Sequence, residues 1–367
     1  MSEDAADTDT YALKSKELTE IPAPDVDYYP PNPTTYRPRI GMIGTGGISN
    51  SHLDAYRTAG WEVVALWNRS RTKAEEKAAE FYPDARIEEE FQDLLDGPEI
   101  DVVDITLPTE IRAPVIKAAL KAGKHVLSQK PFVSDLETGR ALVELADSQG
   151  LKLAVNQNGR WSPHMAWMRE ACRAGHVGKV QTIHTAIHWD HGWTAGTPFD
   201  EIEDLILYDF GIHWFDFVSS IVGNRAKSVF ASASHALDQS NKVPLLAQAM
   251  VQLDGGQASL VFDGNTKHGP MDTTYISGTD GSIVSQGPDL GQQTITLTTA
   301  NGVARPALQG KWFNDGFQGA MGELLCAIEE DRSPDNSARK NLQSLALTFA
   351  ALKSQRSGQP AAVDTQA

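Results

Sequence analysis

The chain has 367 residues, 41% of them hydrophobic, and a formal net charge of −16. That length exceeds one compact core and implies two domains, and the apolar share is enough to fill them. The acidic balance excludes nucleic acid and anionic membranes as natural partners, because phosphate surfaces repel such a chain.

Residues 1–37 read as an arm that is polar and then proline-rich (Pro22, Pro24, Pro30, Pro31, Pro33), with Tyr28, Tyr29 and Tyr36 interspersed. Such a stretch does not fold alone. Its second half is expected either against the body or a neighbouring subunit, or else disordered. The acidic start (Glu3, Asp4, Asp7, Asp9) lacks the basic and apolar regions of a signal peptide. No apolar run reaches membrane-spanning length, so the expected location is cytoplasmic.

From 38 to 158 short apolar strands alternate with helices. Strands are expected at 39–43, 63–67, 102–106, 125–128 and 151–155, and helices at 49–59, 72–81, 111–122 and 134–149. Gly60, Gly123 and Gly150 act as helix stops, and Ser134 with Glu137 as a capping box. Continuously apolar strands alternating with helices mark a parallel sheet covered on both faces. This is a doubly wound, Rossmann-type domain. Residues 159–335 read as an α+β domain. A helix begins at Ser162-Pro163. Strand-like runs then dominate at 180–189, 228–234, 246–253, 258–262, 273–277 and 293–298, joined by Asp-Gly-Gly, Asp-Gly-Asn and Thr-Asp-Gly turns. That predicts an open, mainly antiparallel sheet. Helices at 316–329 and 337–354 close the chain. The second belongs to a C-terminal segment, 336–357, followed by a tail at 358–367. Cys172 and Cys326 lie in helix-like stretches without a CxxC partner, and read as buried thiols rather than disulfide or zinc ligands.

Three segments carry chemistry. Gly44-Thr45-Gly46-Gly47-Ile48-Ser49 follows the first strand and opens a helix, the context a dinucleotide-binding turn requires. Gly44 permits the tight turn, Gly46 lets the backbone approach the pyrophosphate, and Ser49 stands where a third glycine is usual. The helix N-terminus supplies amide donors and a positive dipole end. The second strand ends in Trp67-Asn68-Arg69-Ser70-Arg71 with no carboxylate for the ribose hydroxyls. This favours NADP over NAD, with Asn68 on the ribose of NAD as the alternative. In the second segment, Gln129-Lys130-Pro131 places a lysine at the carboxyl end of a parallel strand, where such sheets bind ligands. Pro131 restricts Lys130 to an extended backbone. In the third, helical spacing puts Asp209, His213 and Asp216 on one polar face beside an apolar face of Phe210, Trp214, Phe217, Val218 and Ile221.

These motifs, in this order, resemble the glucose–fructose oxidoreductase/inositol dehydrogenase/rhizopine-catabolism (Gfo/Idh/MocA) family. The resemblance rests on Gly44-x-Gly46-Gly47, on Ala122-Gly123-Lys124-His125-Val126 leading to Lys130-Pro131, and on Asp209-x-Gly211-x-His213-x-x-Asp216. It spans Pro38 to about Ser357. It implies a Rossmann domain followed by an open antiparallel sheet, which in the family often forms the subunit interface, and hence a homodimer or homotetramer. By the same resemblance Lys130 is the catalytic lysine, and Asp209 and His213 are its active-site pair. The chain departs from the family where the usual acid before Lys-Pro is Gln129. It departs again where the usual Thr-Pro with a later His is Leu107-Pro108-Thr109-Glu110-Ile111-Arg112.

The expected activity is hydride transfer between a nicotinamide and a secondary alcohol or ketone of a sugar, glycoside or polyol. His213 is the base, Lys130 stabilises the alkoxide, and Asp209 orients them. Gly44, Thr45, Gly46, Gly47, Ile48, Asn68, Arg69, Ser70, Leu107, Pro108, Gln129 and Lys130 are expected at the cofactor, NAD(P). Lys130, Asn158, Arg160, Trp161, His188, Asp209 and His213 are expected at the substrate. A metal on His188, Asp190 and His191 is disfavoured, because neighbours on a strand point to opposite faces, and no metal is expected. The alternatives are a glycosidase that recycles tightly held NAD, or a cofactor-binding regulator without catalysis.

Overall fold

In a computed structural model describing residues 18–364, β1 (Arg39–Ile43), β2 (Glu62–Trp67), β3 (Arg86–Ile87), β4 (Val102–Ile105), β5 (His125–Gln129) and β6 (Leu153–Asn156) pair in parallel in the order 3-2-1-4-5-6. Helices α1 (Ser49–Ala59), α2 (Arg71–Phe81), α3 (Phe91–Asp96), α4 (Thr109–Lys121) and α5 (Leu136–Ser148) form the crossovers. The order reverses between β1 and β4, so a crevice opens beyond their carboxyl ends, the place where doubly wound sheets bind ligands. β3 and α3 are additions to the elements expected from sequence. A two-residue strand and a six-residue helix are too short to show a period. The N-cap of α5 is Asp135, whose Oδ1 accepts from the Thr138 amide at 2.7 Å, one residue beyond the expected Ser134.

After α6 (Pro163–Arg173) comes a nine-stranded sheet. Its strands are β7 (Val180–His188), β8 (Ala226–Ser234), β9 (Leu246–Leu253), β10 (Gly256–Asp263), β11 (Met271–Gly278), β12 (Gly281–Gly287), β13 (Thr294–Thr299), β14 (Gly302–Ala304) and β15 (Ala361–Ala362). The order is 14-13-12-11-7-10-9-8-15. Pairing is antiparallel except between β7 and β10, which run parallel. The sheet is therefore mixed. Alternation sorts its faces: Ala247, Ala249, Val251 and Leu253 of β9 are buried, whereas Met250 on the same strand is exposed. Phe230 and Tyr275 are also exposed.

The inner face is covered by α7 (Ile212–Val222) and α9 (Ala338–Ser357). The closing helices also return to the first sheet. In α8 (Trp312–Glu329), Phe317, Met321, Leu324 and Leu325 share a core with Ile40, Met42 and Leu53. Ala338, Leu342 and Leu345 of α9 join Val133, Leu142 and Val143. The division at residue 159 expected from sequence is thus crossed back by both helices. The described part of the arm packs on the body. Tyr28 is buried and its hydroxyl accepts from the Gln309 amide at 2.9 Å, and the Glu329 carboxylate accepts from the amides of Thr34, Thr35 and Tyr36. The acidic start of the arm lies outside the described residues. Both cysteines are free, and burial pushes the Cys172 thiol up to about 12 and that of Cys326 to about 11. No helix among the described residues is long and apolar enough to cross a membrane.

One core group is a liability. Asp272 of β11 is fully buried, neither carboxylate oxygen has a hydrogen-bond partner among the described residues, and burial raises its pKa to about 7. A carboxyl with a raised folded pKa contributes stability below its unfolded value and loses it as pH rises through the folded one. Asp272→Asn is therefore expected to raise Tm by about 5 °C at pH 8 and to change it little at pH 4. Melting curves at the two pH values check this, and equal shifts at both would contradict it.

Candidate active site

The glycine turn joins β1 to α1. Gly44 sits at φ 102°, a conformation open to glycine, and a Cβ there would stand 2.9 Å from the Thr106 hydroxyl, which instead donates to the Gly44 carbonyl at 2.7 Å. A Cβ on Gly46 or Gly47 would meet nothing within 4 Å. The space over these two glycines is therefore clear for a ligand. The amides of Gly46, Gly47 and Ile48 donate to no protein group among the described residues, while those of Ser49, Asn50 and Ser51 turn back to carbonyls of the turn. Three free amides at a helix N-terminus beside open space suit a pyrophosphate, so the residues present fit a dinucleotide. Thr45 donates its amide to Asn68 Oδ1 at 3.2 Å, which fixes the end of β2 against the turn. Arg69 and Ser70 are exposed beyond it. Arg71 is held by Glu75 and Glu89 and is withdrawn from this group.

Lys130 follows β5 directly, with a cis peptide bond to Pro131. Its Nζ donates to the Asp209 carbonyl at 2.9 Å and to Asp209 Oδ1 at 3.1 Å. Asp209 belongs to a π-helical turn, Leu205–Phe210, that precedes α7. The continuous helix expected here is broken because each π turn carries one extra residue, and such turns re-aim side chains. Gly211 makes the junction possible: a Cβ there would stand 2.7 Å from the Ile206 carbonyl and 2.9 Å from that of Leu207. His213, one turn on, presents a half-buried ring edge-on to Trp312, with centroids 5.3 Å apart. Its Nδ1 is buried without a partner among the described residues. Burial, and then the nearby Lys130 ammonium, hold its pKa well below the ordinary value, so the imidazole is neutral. An ammonium from the first domain thus meets a carboxylate and a neutral imidazole from the second.

A family description for the NAD-binding Rossmann fold of the Gfo/Idh/MocA oxidoreductases matches residues 38–157, and one for the Gfo/Idh/MocA C-terminal domain matches 165–284. The chain belongs to the Gfo/Idh/MocA family. Inositol 2-dehydrogenase of Rhizobium meliloti (strain 1021) is 26% identical over 329 residues, which cover 86% of this chain and 96% of that one. An oxidoreductase from Agrobacterium radiobacter, solved with NAD+, L-tartaric acid and magnesium, superposes with a TM-score of 0.81 at 20% identity, covering 90% of this chain and 100% of the other. Levoglucosan dehydrogenase, solved with NADH and levoglucosan, gives 0.76 at 21% identity, covering 89% and 100%. These two structures establish likeness of fold. The chain is an NAD-binding oxidoreductase of this family.

Several residues expected at the Gfo/Idh/MocA site are occupied elsewhere. Arg160 makes a bidentate ion pair with Asp216 (Nε–Oδ2 2.7 Å, Nη2–Oδ1 2.8 Å), both side chains being almost fully buried. Asp216 is therefore held in the core, where Ser344 also donates to it. Trp161 is packed against Gly319 and beneath the Arg169 guanidinium. Asn158 uses Oδ1 to accept from the Trp312 indole at 3.0 Å, so it supports the ring that faces His213. His188 is half-exposed at the end of β7, 3.6 Å from Asp263. Asp190 accepts from the Gly192 amide and His191 stacks on Trp189, so the three do not converge. No metal-binding cluster occurs among the described residues.

Gln129 turns inward. It accepts from the Lys130 amide at 2.6 Å and from Asn156 Nδ2 at 3.3 Å, and its Nε2 lies 3.1 Å from His52 Nε2. His52 Nδ1 in turn lies 2.7 Å from Asp104, which also accepts from the Tyr56 hydroxyl. This buried network behind Lys130 is absent from the expectations drawn from sequence. Its signal is present there all the same: Asp104 lies in the apolar strand Val102-Val103-Asp104-Ile105, and a carboxylate in such a strand requires partners. Arg112 also acquires a role only in the fold. It is fully buried on α4, and among the described residues its guanidinium bonds only to carbonyls: Leu107, Gln129 and Pro131.

Proposed function

We propose that this Gfo/Idh/MocA chain interconverts a secondary alcohol and a ketone on a sugar, glycoside or polyol, with NAD(P) as the redox partner. The observation that carries this is the Lys130–Asp209 pair beside neutral His213, at the carboxyl end of the parallel sheet that also carries the open glycine turn. The relatives' substrates, inositol and levoglucosan among them, support a polyhydroxylated ligand.

The nicotinamide, when bound, supplies the hydride acceptor, or the donor in reverse. The substrate hydroxyl must lose its proton as the carbon loses hydride, leaving a carbonyl. Neutral His213 accepts that proton. Lys130 donates a hydrogen bond to the same oxygen as negative charge develops, and Asp209 fixes the direction of the ammonium. In reverse His213 returns the proton. Because its pKa is lowered, His213 stays in the accepting form below the usual histidine range. The acid limb of the kcat/KM profile for oxidation is therefore expected below pH 6.5. An acid limb at or above pH 6.5 in the wild-type profile would remove His213 from this role.

For the cofactor we favour NADP. Arg69, exposed at the end of β2 with no partner among the described residues, and Ser70 suit a ribose phosphate, and the segment Trp67–Arg71 carries no carboxylate of its own to repel one. Arg69→Ala is expected to raise KM for NADP about tenfold and to leave KM for NAD within twofold. Equal KM changes for both cofactors would show that Arg69 does not read the phosphate. The exposed face of the nine-stranded sheet, with Phe230, Met250 and Tyr275, is proposed as the contact of a homodimer or homotetramer.

A further inference from the structure

Arg112 is a buried cation with no carboxylate at hydrogen-bond distance among the described residues. Its Nε donates to the Leu107 carbonyl at 2.8 Å and Nη2 donates to the same oxygen, while Nη1 bridges the carbonyls of Gln129 and Pro131. Those two carbonyls flank Lys130. Leu107 belongs to the loop after β4, which forms the other lip of the crevice. A guanidinium kept from water costs stability, and burial lowers its pKa to about 10. An apolar side chain could fill the same space between α4 and the sheet, but it could not tie three carbonyls from two strand ends together. A planar fork of five donors can.

We propose that Arg112 is a positioning residue that locks the Leu107 loop to the Gln129–Pro131 segment, and so sets Lys130 in register with the cofactor lip. This rests on the hydride-transfer reading above. The Lys130 segment is held on both sides. Gln129 Oε1 takes the Lys130 amide from within the domain, and Arg112 takes the carbonyls on either side of that amide. Lys130 Nζ then reaches across to Asp209 in the second domain. Loosening the segment would displace the ammonium without removing any group that touches substrate. Misplacement by about 1 Å lowers a rate about 10²-fold.

The test compares wild type with Arg112→Lys, which keeps the charge but cannot serve three carbonyls in one plane, and with Arg112→Met, which removes both. Melting curves establish which variants are folded. Steady-state kinetics then separate kcat from KM, and 13C-dimethyl-lysine NMR, with Lys130 assigned by Lys130→Arg, reports the order of the ammonium. The expected result for Arg112→Lys is a kcat about 10²-fold lower, a substrate KM within threefold, and a broadened Lys130 resonance. A folded Arg112→Lys variant with wild-type kcat and an unchanged Lys130 resonance would overturn the proposal and reduce Arg112 to a structural part. If wild type itself reduces no cofactor with any sugar, the hydride-transfer reading fails separately, and the NMR comparison still decides whether Arg112 orders Lys130.

Discussion

Lys130→Met is expected to lower kcat/KM about 10³-fold while binding of the reduced cofactor, NADPH or NADH, stays within a few-fold. Methionine keeps most of the side-chain volume, so the loss isolates the ammonium. The geometry gives the substitution two consequences. Asp209 loses its cationic partner at 3.1 Å, and the developing alkoxide loses its donor. The second consequence concerns His213. Lys130 is one of the two causes that hold the His213 pKa down, the larger being burial. Removing it lets that pKa rise, so the acid limb of the residual activity is expected to move up towards the ordinary histidine value. A pH–rate profile of the variant reads both effects. Wild-type kcat in Lys130→Met, or a residual profile identical in shape to wild type, would contradict the assigned roles.

Asp216→Ala is expected to destabilise the protein by about 3 kcal/mol, because it removes the bidentate carboxylate of the buried Arg160 guanidinium and leaves only Asp335, at 3.7 Å, to balance it. A Tm lower by about 10 °C is expected for a chain of this size. The pair joins the short helical turn at Asn158–Trp161 to α7, and through Ser344 to α9. Its loss therefore loosens the junction where the two domains share helices. The folded variant, assayed well below its Tm, is expected to keep kcat within threefold of wild type, because the Asp216 carboxylate is taken up by Arg160 and Ser344. Differential scanning calorimetry, with kinetics at temperatures well below the transition, separates the two. An unchanged Tm with lost turnover would restore Asp216 to the reaction.

The position of Asp216 shows where sequence reasoning stops. Spacing of three and four puts Asp209, His213 and Asp216 on one helical face, and on a regular α-helix it would hold. The π turn ending at Phe210 breaks that regularity, and Gly211 stands at its junction with α7, where a Cβ would come within 2.7 Å of the Ile206 carbonyl. The glycine turn and Lys130 are legible because each depends on a local requirement: a residue able to adopt Gly44's φ, or a side chain at a strand end. The sheet-forming runs are legible from alternation in β9 and from continuous apolarity in β1 and β4. The features that stay hidden depend on distant partners. Arg160 reads as a pocket donor until Asp216 is found against it. Gln129 reads as a cofactor contact until its side chain is found accepting from Lys130 and approaching His52. The return of α8 and α9 to the first sheet is hidden for the same reason, since Phe317 and Leu345 reveal only that they are buried, not against which neighbours.

Hydride transfer between a nicotinamide and a secondary alcohol is tested by the initial rate of the purified protein with NAD and with NADP. Reduced-nicotinamide absorbance is followed against a panel of inositols, aldoses, anhydrosugars and glycosides. Reduction of one cofactor with one substrate class, lost in Lys130→Met, is the expected result. Tight cofactor binding without any absorbance change across the panel would contradict it, and release of free sugar from the glycosides in the same samples would identify a cofactor-recycling glycosidase in its place.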